Sequence, residues 1–212
     1  MITQLPFEGR TAAGLLLAKN LTALKNAPDT IILALVRGGV VVGSALAKGL
    51  SLPMFPYIVR KLGHPSHREF ALGAIAEGGA TYLDETSMKL HGVEWGDMEE
   101  IIDEEMKELA RRKTAYMIKG RPSLKGKTII LTDDGAATGS SLFAAIEDLR
   151  EAGAKKIISA IPVCPPDAAV KIREKSDEAV ILSVPEDFYA VGQFYEDFPQ
   201  VSDEEVIEFL KS

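Results

Sequence analysis

Cysteine, histidine and long apolar runs are scarce in this chain, and each scarcity removes a class of protein. One cysteine, Cys164, among 212 residues rules out an internal disulfide and a cysteine-rich zinc site, in keeping with a reducing compartment. Cys164 ends an apolar run, which suits a packed side chain better than a nucleophile. No apolar stretch approaches the roughly 20 residues of a membrane helix. The opening MITQLPFEGR lacks the basic-then-apolar order of a secretory signal. A cytoplasmic protein with no membrane partner is the expectation. Positive charge is also in deficit. A net charge of -7 argues against nucleic acid as a partner, because broad binding of that kind displaces counterions with a basic face. A small polyanion needs only a few cations in one cleft, so an anionic substrate stays open. Low-complexity tracts and internal repeats are missing too, and no Gly-Lys-Ser/Thr follows a glycine-rich loop as in nucleotide triphosphatases.

What is present is a globular composition, 46% hydrophobic and 26% charged, in a chain long enough to bury a core without staples. Apolar runs rich in β-branched residues at 31–36, 54–59, 128–132, 156–163 and 179–184 are each of strand length, and most are followed by helix-like sequence. That order predicts an α/β fold, a Rossmann-like parallel sheet with helices on both faces. Unbroken apolar strands such as IILALV are what a sheet buried on both sides requires. Leu142, Ile146 and Leu149 lay a stripe on a helix starting near Gly139 and stopping before Gly153. A longer helix is predicted over 96–118, with Ile102, Met106, Leu109 and Tyr116 inward, an acidic start and the basic end Arg111-Arg112-Lys113. Ser202 and Glu205 form a capping box for a last helix ending near Leu210.

Two regions break the alternation. Residues 61–80 are rich in Gly, His and charge and are predicted to be a long mobile loop, a kind of segment that is usually functional. Residues 185–200 mix acids and aromatics in the manner of a ligand-facing flap. The chain is therefore expected to be a single domain over 1–212, with a core at about 28–184 and a small hood from about 1–27 and 185–212.

The segment TIILTDDGAATGSS, residues 128–141, carries the most chemistry. A strand ends at Asp133-Asp134; Gly135, Ala136, Ala137, Thr138, Gly139, Ser140 and Ser141 then lead into a helix. Ligands of parallel sheets bind beyond the carboxyl ends of the strands, where a helix N-terminus offers free N–H groups and partial positive charge to a phosphate. Small residues let the backbone approach, and the hydroxyls of Thr138, Ser140 and Ser141 add donors. Two carboxylates beside a phosphate need something to separate or neutralise them. A ribose, whose 2- and 3-hydroxyls donate to carboxylates, does the first, and a magnesium ion with its preference for oxygen does the second. The bland alternative is a pair of aspartates capping a turn and a helix.

At this segment the chain resembles the type I phosphoribosyltransferases, whose signature is a strand, two acids, a few small or apolar residues, then Thr-Gly and a hydroxyl residue. The resemblance implies that fold, phosphoribosyl pyrophosphate as donor, and Asp133 and Asp134 on the ribose hydroxyls and magnesium. It also implies a pyrophosphate loop at Arg37-Gly38-Gly39, with a cis peptide at Arg37-Gly38; an ordinary glycine turn is the alternative there. Arg60-Lys61 stands where orotate-type members carry a pair that contacts pyrophosphate. Arg37 and Lys61, with Asp133 and Asp134, are thus the expected catalytic groups. His64, His67 and Arg68 are either part of a closing loop or solvated. Phe188 matches the position at which hypoxanthine-guanine members stack a ring on the purine. Two departures leave the acceptor open beyond a nucleobase-like molecule: Ala137 stands where those members carry an aspartate, and no lysine lies near 162–164. The layout of RGG at 37–39, RKLG at 60–63, AEGG at 76–79 and DDGAATG at 133–139 is similar to that of a group of predicted phosphoribosyltransferases. A regulator that binds the donor without turning it over is the competing reading, and helix 96–118 is available for a homodimer.

Overall fold

The computed structural model describes residues 5–116 and 121–210. Its centre is a five-stranded parallel sheet in the order β2-β1-β6-β7-β8. The strands are β1 (Thr30–Leu35), β2 (Met54–Tyr57), β6 (Thr128–Thr132), β7 (Lys156–Val163) and β8 (Glu178–Ser183). Side chains alternate across a strand, and both faces are claimed. Ile31, Leu33, Ile129, Leu131 and Ile157 point toward α5 (Ser140–Glu151) and α6 (Pro166–Lys175). Ile32, Ile130, Ile158 and Ala160 point toward α1 (Arg10–Asn20) and α2 (Gly39–Leu50). This double burial is why the strands read as continuous apolar runs.

Residues 61–80, expected to be a mobile loop, are mostly sheet. Strand β3 (Val59–His64) pairs antiparallel with β4 (His67–Ala76), which pairs with β5 (Thr81–Leu83). The glycines that suggest a loop serve close strand packing instead. A Cβ at Gly63 would lie 2.2 Å from the main-chain oxygen of Arg68 across the hairpin, so the register irregularity there requires glycine. One side of this small sheet packs on α5 through Ala74, Ala76 and Tyr82. The other side is covered by α4 (Glu99–Ala115) through Leu62, Leu72 and Ile75.

Helix α4 is shorter than expected, since a 3-10 turn at Trp95–Met98 precedes it and residues 117–118 of the expected span lie outside the described residues. Its inward stripe is also rotated. Met98, Ile101, Leu109 and Tyr116 are buried, whereas Met106 is exposed. Glu105 takes the inward place because it forms an ion pair with Arg60 of β3, 2.6 Å away. A polar residue drawn in by a distant partner is invisible to hydrophobic periodicity. Helix α3 (Glu85–His91) precedes the 3-10 turn. The last helix, α7 (Asp203–Phe209), carries the expected capping box: Ser202 Oγ accepts from Glu205 N, and Glu205 Oε2 accepts from Ser202 N.

The two terminal regions meet above the carboxyl end of β7. Phe7 N donates to Phe194 O and Glu196 N donates to Phe7 O, each at 2.8 Å. Phe7, Val163, Phe194 and Tyr195 form one small apolar cluster, with Phe188, Val191 and Phe198 against it. Helix α1 itself lies on α2 and contributes Leu17 and Ala18 to the core, joined by Leu21 just past its end.

Candidate functional site

The carboxyl ends of β1 and β6 are adjacent in the sheet, so the loops that leave them share one cleft. From β6 the chain runs through Asp133 and Asp134 into the loop 135–139 and then into α5, whose N-terminal boundary residue Gly139 has φ +81°. Glycine adopts that left-handed conformation without the usual steric cost. Thr138 Oγ1 lies 3.0 Å from Ser140 Oγ, so both hydroxyls gather at the start of a twelve-residue helix. This loop, with Lys61 and Val191, lines a cavity of about 200 Å³. Free amides, hydroxyls and the helix dipole fit it to a phosphate-sized anion.

The two aspartates lie at the boundary between that cavity and a larger cleft of about 600 Å³. Asp133 Oδ1 accepts from Asp134 N at 2.8 Å. Burial pushes the Asp133 carboxyl well above the ordinary range, and the neighbouring charge of Asp134 pushes it further. Burial raises Asp134 as well, but Arg10 opposes that shift. Arg10 Nε donates to Asp134 Oδ2 at 2.8 Å, and the arginine is only 8% exposed. Tyr195 Oη donates to the main-chain oxygen of Asp134 at 2.5 Å. Sequence motifs point to neither Arg10 nor Tyr195: 124 and 61 residues separate them from Asp134, and no spacing rule spans such distances.

From β1 the chain passes through Val36, Arg37 and Gly38 into α2. A cis peptide is present here, but it joins Val36 to Arg37, one bond earlier than the expected Arg37-Gly38 position. In the same turn the Gly38 backbone lies against the Asp134 carboxylate. Arg37 and Gly38 line the large cleft; Gly39 is buried as the first residue of α2, against Asp133.

Opposite these loops, β3 supplies Arg60 and Lys61 to the same cleft. They differ in commitment. Arg60 is paired with Glu105, and Arg68 with Glu104 at 3.0 Å. Lys61, exposed and bordering both cavities, forms no ion pair among the described residues. Arg37 has only a distant, exposed contact with Asp203 at 3.8 Å. Lys61 and Arg37 are thus the cations most available to an anion in the cleft. His64 and His67 are at the hairpin tip, their ring centroids 5.6 Å apart, and neither lines the cleft. Phe188 lines neither cavity; its ring packs on Phe194 with centroids 5.0 Å apart. Phe188 is held there because the terminal segments bury their own aromatics against each other.

The donor set suits a magnesium ion carried in by a phosphorylated ligand. Two adjacent carboxylates are hard oxygen donors, and magnesium usually takes one or two of these with substrate phosphates and water. No cluster of three or more His, Cys, Asp or Glu able to hold a metal alone forms among the described residues.

Comparison with known proteins agrees with this geometry. Residues 1–199 match the family model described as phosphoribosyl transferase domain. A protein of Mycobacterium tuberculosis (strain H37Rv), provisionally named a phosphoribosyl transferase, is 37% identical over 205 residues, covering 96% of this chain and 46% of the relative. The chain therefore spans about half the length of the curated relatives it matches. The crystal structure of TT1426 from Thermus thermophilus is 36% identical with a TM-score of 0.79, covering 96% of this chain and 97% of that one. A purine phosphoribosyltransferase from Pyrococcus horikoshii, 19% identical with a TM-score of 0.50 over 91% and 92% of the two chains, shares the fold. A family match that covers nearly the whole chain, on top of a strand-end acid pair and a small-residue loop at a helix N-terminus, means that the chain belongs to the phosphoribosyl transferase family.

Proposed function

We propose that this chain transfers the 5-phosphoribosyl group of phosphoribosyl pyrophosphate to a nucleobase-like acceptor and releases pyrophosphate, with magnesium. The observation that carries this reading is one cleft that joins the acid pair Asp133-Asp134, the loop at the N-terminus of α5 and the two uncommitted cations Arg37 and Lys61. The acids and Lys61 border both the phosphate-sized cavity and the larger cleft, and Arg37 borders the larger cleft alone, an arrangement that suits phosphate, ribose and diphosphate following one another along the donor.

The amides and hydroxyls of 138–141 bind the 5-phosphate. Asp133 and Asp134 accept from the ribose hydroxyls and stabilise positive charge that develops on the sugar as the bond from carbon 1 to the diphosphate breaks. Arg37 and Lys61 stabilise the negative charge that grows on the leaving diphosphate. Magnesium, when bound, neutralises diphosphate charge and holds its oxygens in place. An acceptor ring nitrogen forms the new bond to carbon 1. The β3–β4 hairpin, as a paired element and not a loose loop, holds Lys61 in register with the cleft.

Incubation with phosphoribosyl pyrophosphate, magnesium and a panel of bases, with pyrophosphate release as readout, tests the reading. Release with at least one base is expected. Tight donor binding with no release for any base would overturn the transferase and leave a binding protein. Lys61→Ala should lower kcat by about 10²-fold, in the range of lost electrostatic stabilisation, and weaken donor binding far less. The reverse pattern would remove Lys61 from leaving-group stabilisation.

A further inference from the structure

One buried charged group at the cleft has no part in the scheme above. Arg10, the first residue of α1, joins three regions that are distant in sequence. Nε donates to Asp134 Oδ2 at 2.8 Å, Nη1 donates to the main-chain oxygen of Pro199 at 2.7 Å, and the guanidinium carbon lies 3.7 Å from the centroid of the Phe198 ring. A desolvated cation must be paired, but pairing alone does not require this acid. Arg10 borders a cavity of about 430 Å³ between α1 and α7 and one of about 340 Å³ that Arg37 and Gly38 also line, but not the 600 Å³ cleft that Asp134 lines. The arginine thus grips the aspartate from behind.

We infer that Arg10 is a positioning residue for the ribosyl ligand: it fixes the Asp134 carboxylate in one orientation at the cleft floor and ties the terminal strap at 198–199 to that acid. The inference rests on the ribosyl reading of the same cleft. A planar fork serves both acceptors while stacking on a ring, a combination that the point charge of lysine does not reproduce. The contact also couples the C-terminal segment to the acid: Pro199 and Asp134 share one guanidinium.

Calorimetric titration without added magnesium separates this role from simple structural support. Ribose 5-phosphate probes the acids and the phosphate loop together; inorganic phosphate probes the loop alone. Arg10→Met should weaken ribose 5-phosphate by about tenfold or more, the scale of one hydrogen bond to a charged group. Phosphate affinity should stay within about twofold, because its donors are the amides and hydroxyls of 138–141 and Arg10 bonds to Asp134 and Pro199 instead. Arg10→Lys should resemble Arg10→Met more than the wild type, and it carries the same comparison if the methionine variant does not fold. In an Asp134→Asn background, Arg10→Met should add less than about threefold, since residues that act through one another are not additive. Unchanged ribose 5-phosphate affinity, an equal loss for phosphate, or an undiminished effect in the Asp134→Asn background would each overturn the inference. A wild-type protein that binds phosphate but not ribose 5-phosphate would overturn the ribosyl reading itself, and the role of Arg10 with it.

Discussion

Gly38 lies directly against the carboxylate of Asp134: a Cβ at Gly38 would stand 1.9 Å from Asp134 Oδ2 and 3.1 Å from Arg10 Nε. The loop after β1 and the acid pair after β6 therefore share a contact that admits no side chain. Gly38→Ala should displace Asp134 by a fraction of an ångström or more and lower turnover by roughly 10²-fold, the scale of such misplacement. Steady-state kinetics and a melting curve check this together; turnover should fall while most of the stability remains.

Asp133 is held at a cost to the ligand-free fold. Burial, then the charge of Asp134, raises its folded-state pKa, so the folded protein binds this proton more tightly than the unfolded chain does. Its contribution to stability is complete below the unfolded carboxylate range and is lost as pH rises through the raised folded value. Asp133→Asn should therefore stabilise the protein at pH 7 by about 0.5–2 kcal/mol, in the range of single stabilising changes at strained sites. It should also impair ribosyl-ligand binding. Urea denaturation at pH 7 and pH 5 measures the effect, and the gain should shrink at the lower pH.

Asp148 of α5 anchors the β4–β5 turn of the second sheet to that helix. Its Oδ2 accepts from Tyr57 Oη and, at 3.1 Å, from Gly78 N; Oδ1 accepts from Ala80 N at 3.3 Å. The neighbouring Glu77 accepts from Ile58 N at 2.9 Å and from Arg121. Asp148→Ala leaves the buried Tyr57 hydroxyl and two less buried amides without their acceptor and should cost about 1–3 kcal/mol, read from the urea midpoint.

Cys164 is fully buried, and burial pushes its thiol up to about 11. At pH 8 about one thiol in a thousand is then ionised, and only the thiolate is nucleophilic. The native protein should react with a thiol-specific disulfide reagent at least about 100-fold more slowly than the urea-unfolded chain. Fast native labelling would contradict the packing role.

Much of the sheet was legible because its strands are buried on both faces and read as unbroken apolar runs. All five expected runs became parallel strands; 31–36 and 179–184 each moved by one residue, to Thr30–Leu35 and Glu178–Ser183, and 54–59 shortened to Met54–Tyr57. The loop between β6 and α5 was legible for a related reason: strand, acid pair, small residues, hydroxyls and helix are contiguous, so local chemistry determines them. The hairpin was not. Its glycines and charges resemble those of a loop, and only cross-strand pairing with β5 and burial between α4 and α5 make it a sheet. Met106 and Glu105 exchanged places for a similar reason, since the partner of Glu105 lies 45 residues away on β3.

The α/β class, the place of the small-residue loop before α5 and the acids at its mouth follow from the amino-acid order alone, because these depend on residues within one or two turns of each other. Only the tertiary structure decided how Asp134 is held. Arg10, Gly38 and Tyr195 reach it from three distant parts of the chain, and the main-chain oxygen of Pro199 holds Arg10 in turn. Their convergence is set by helix packing on the sheet and by the joining of the termini above it, neither of which has a local periodic signal.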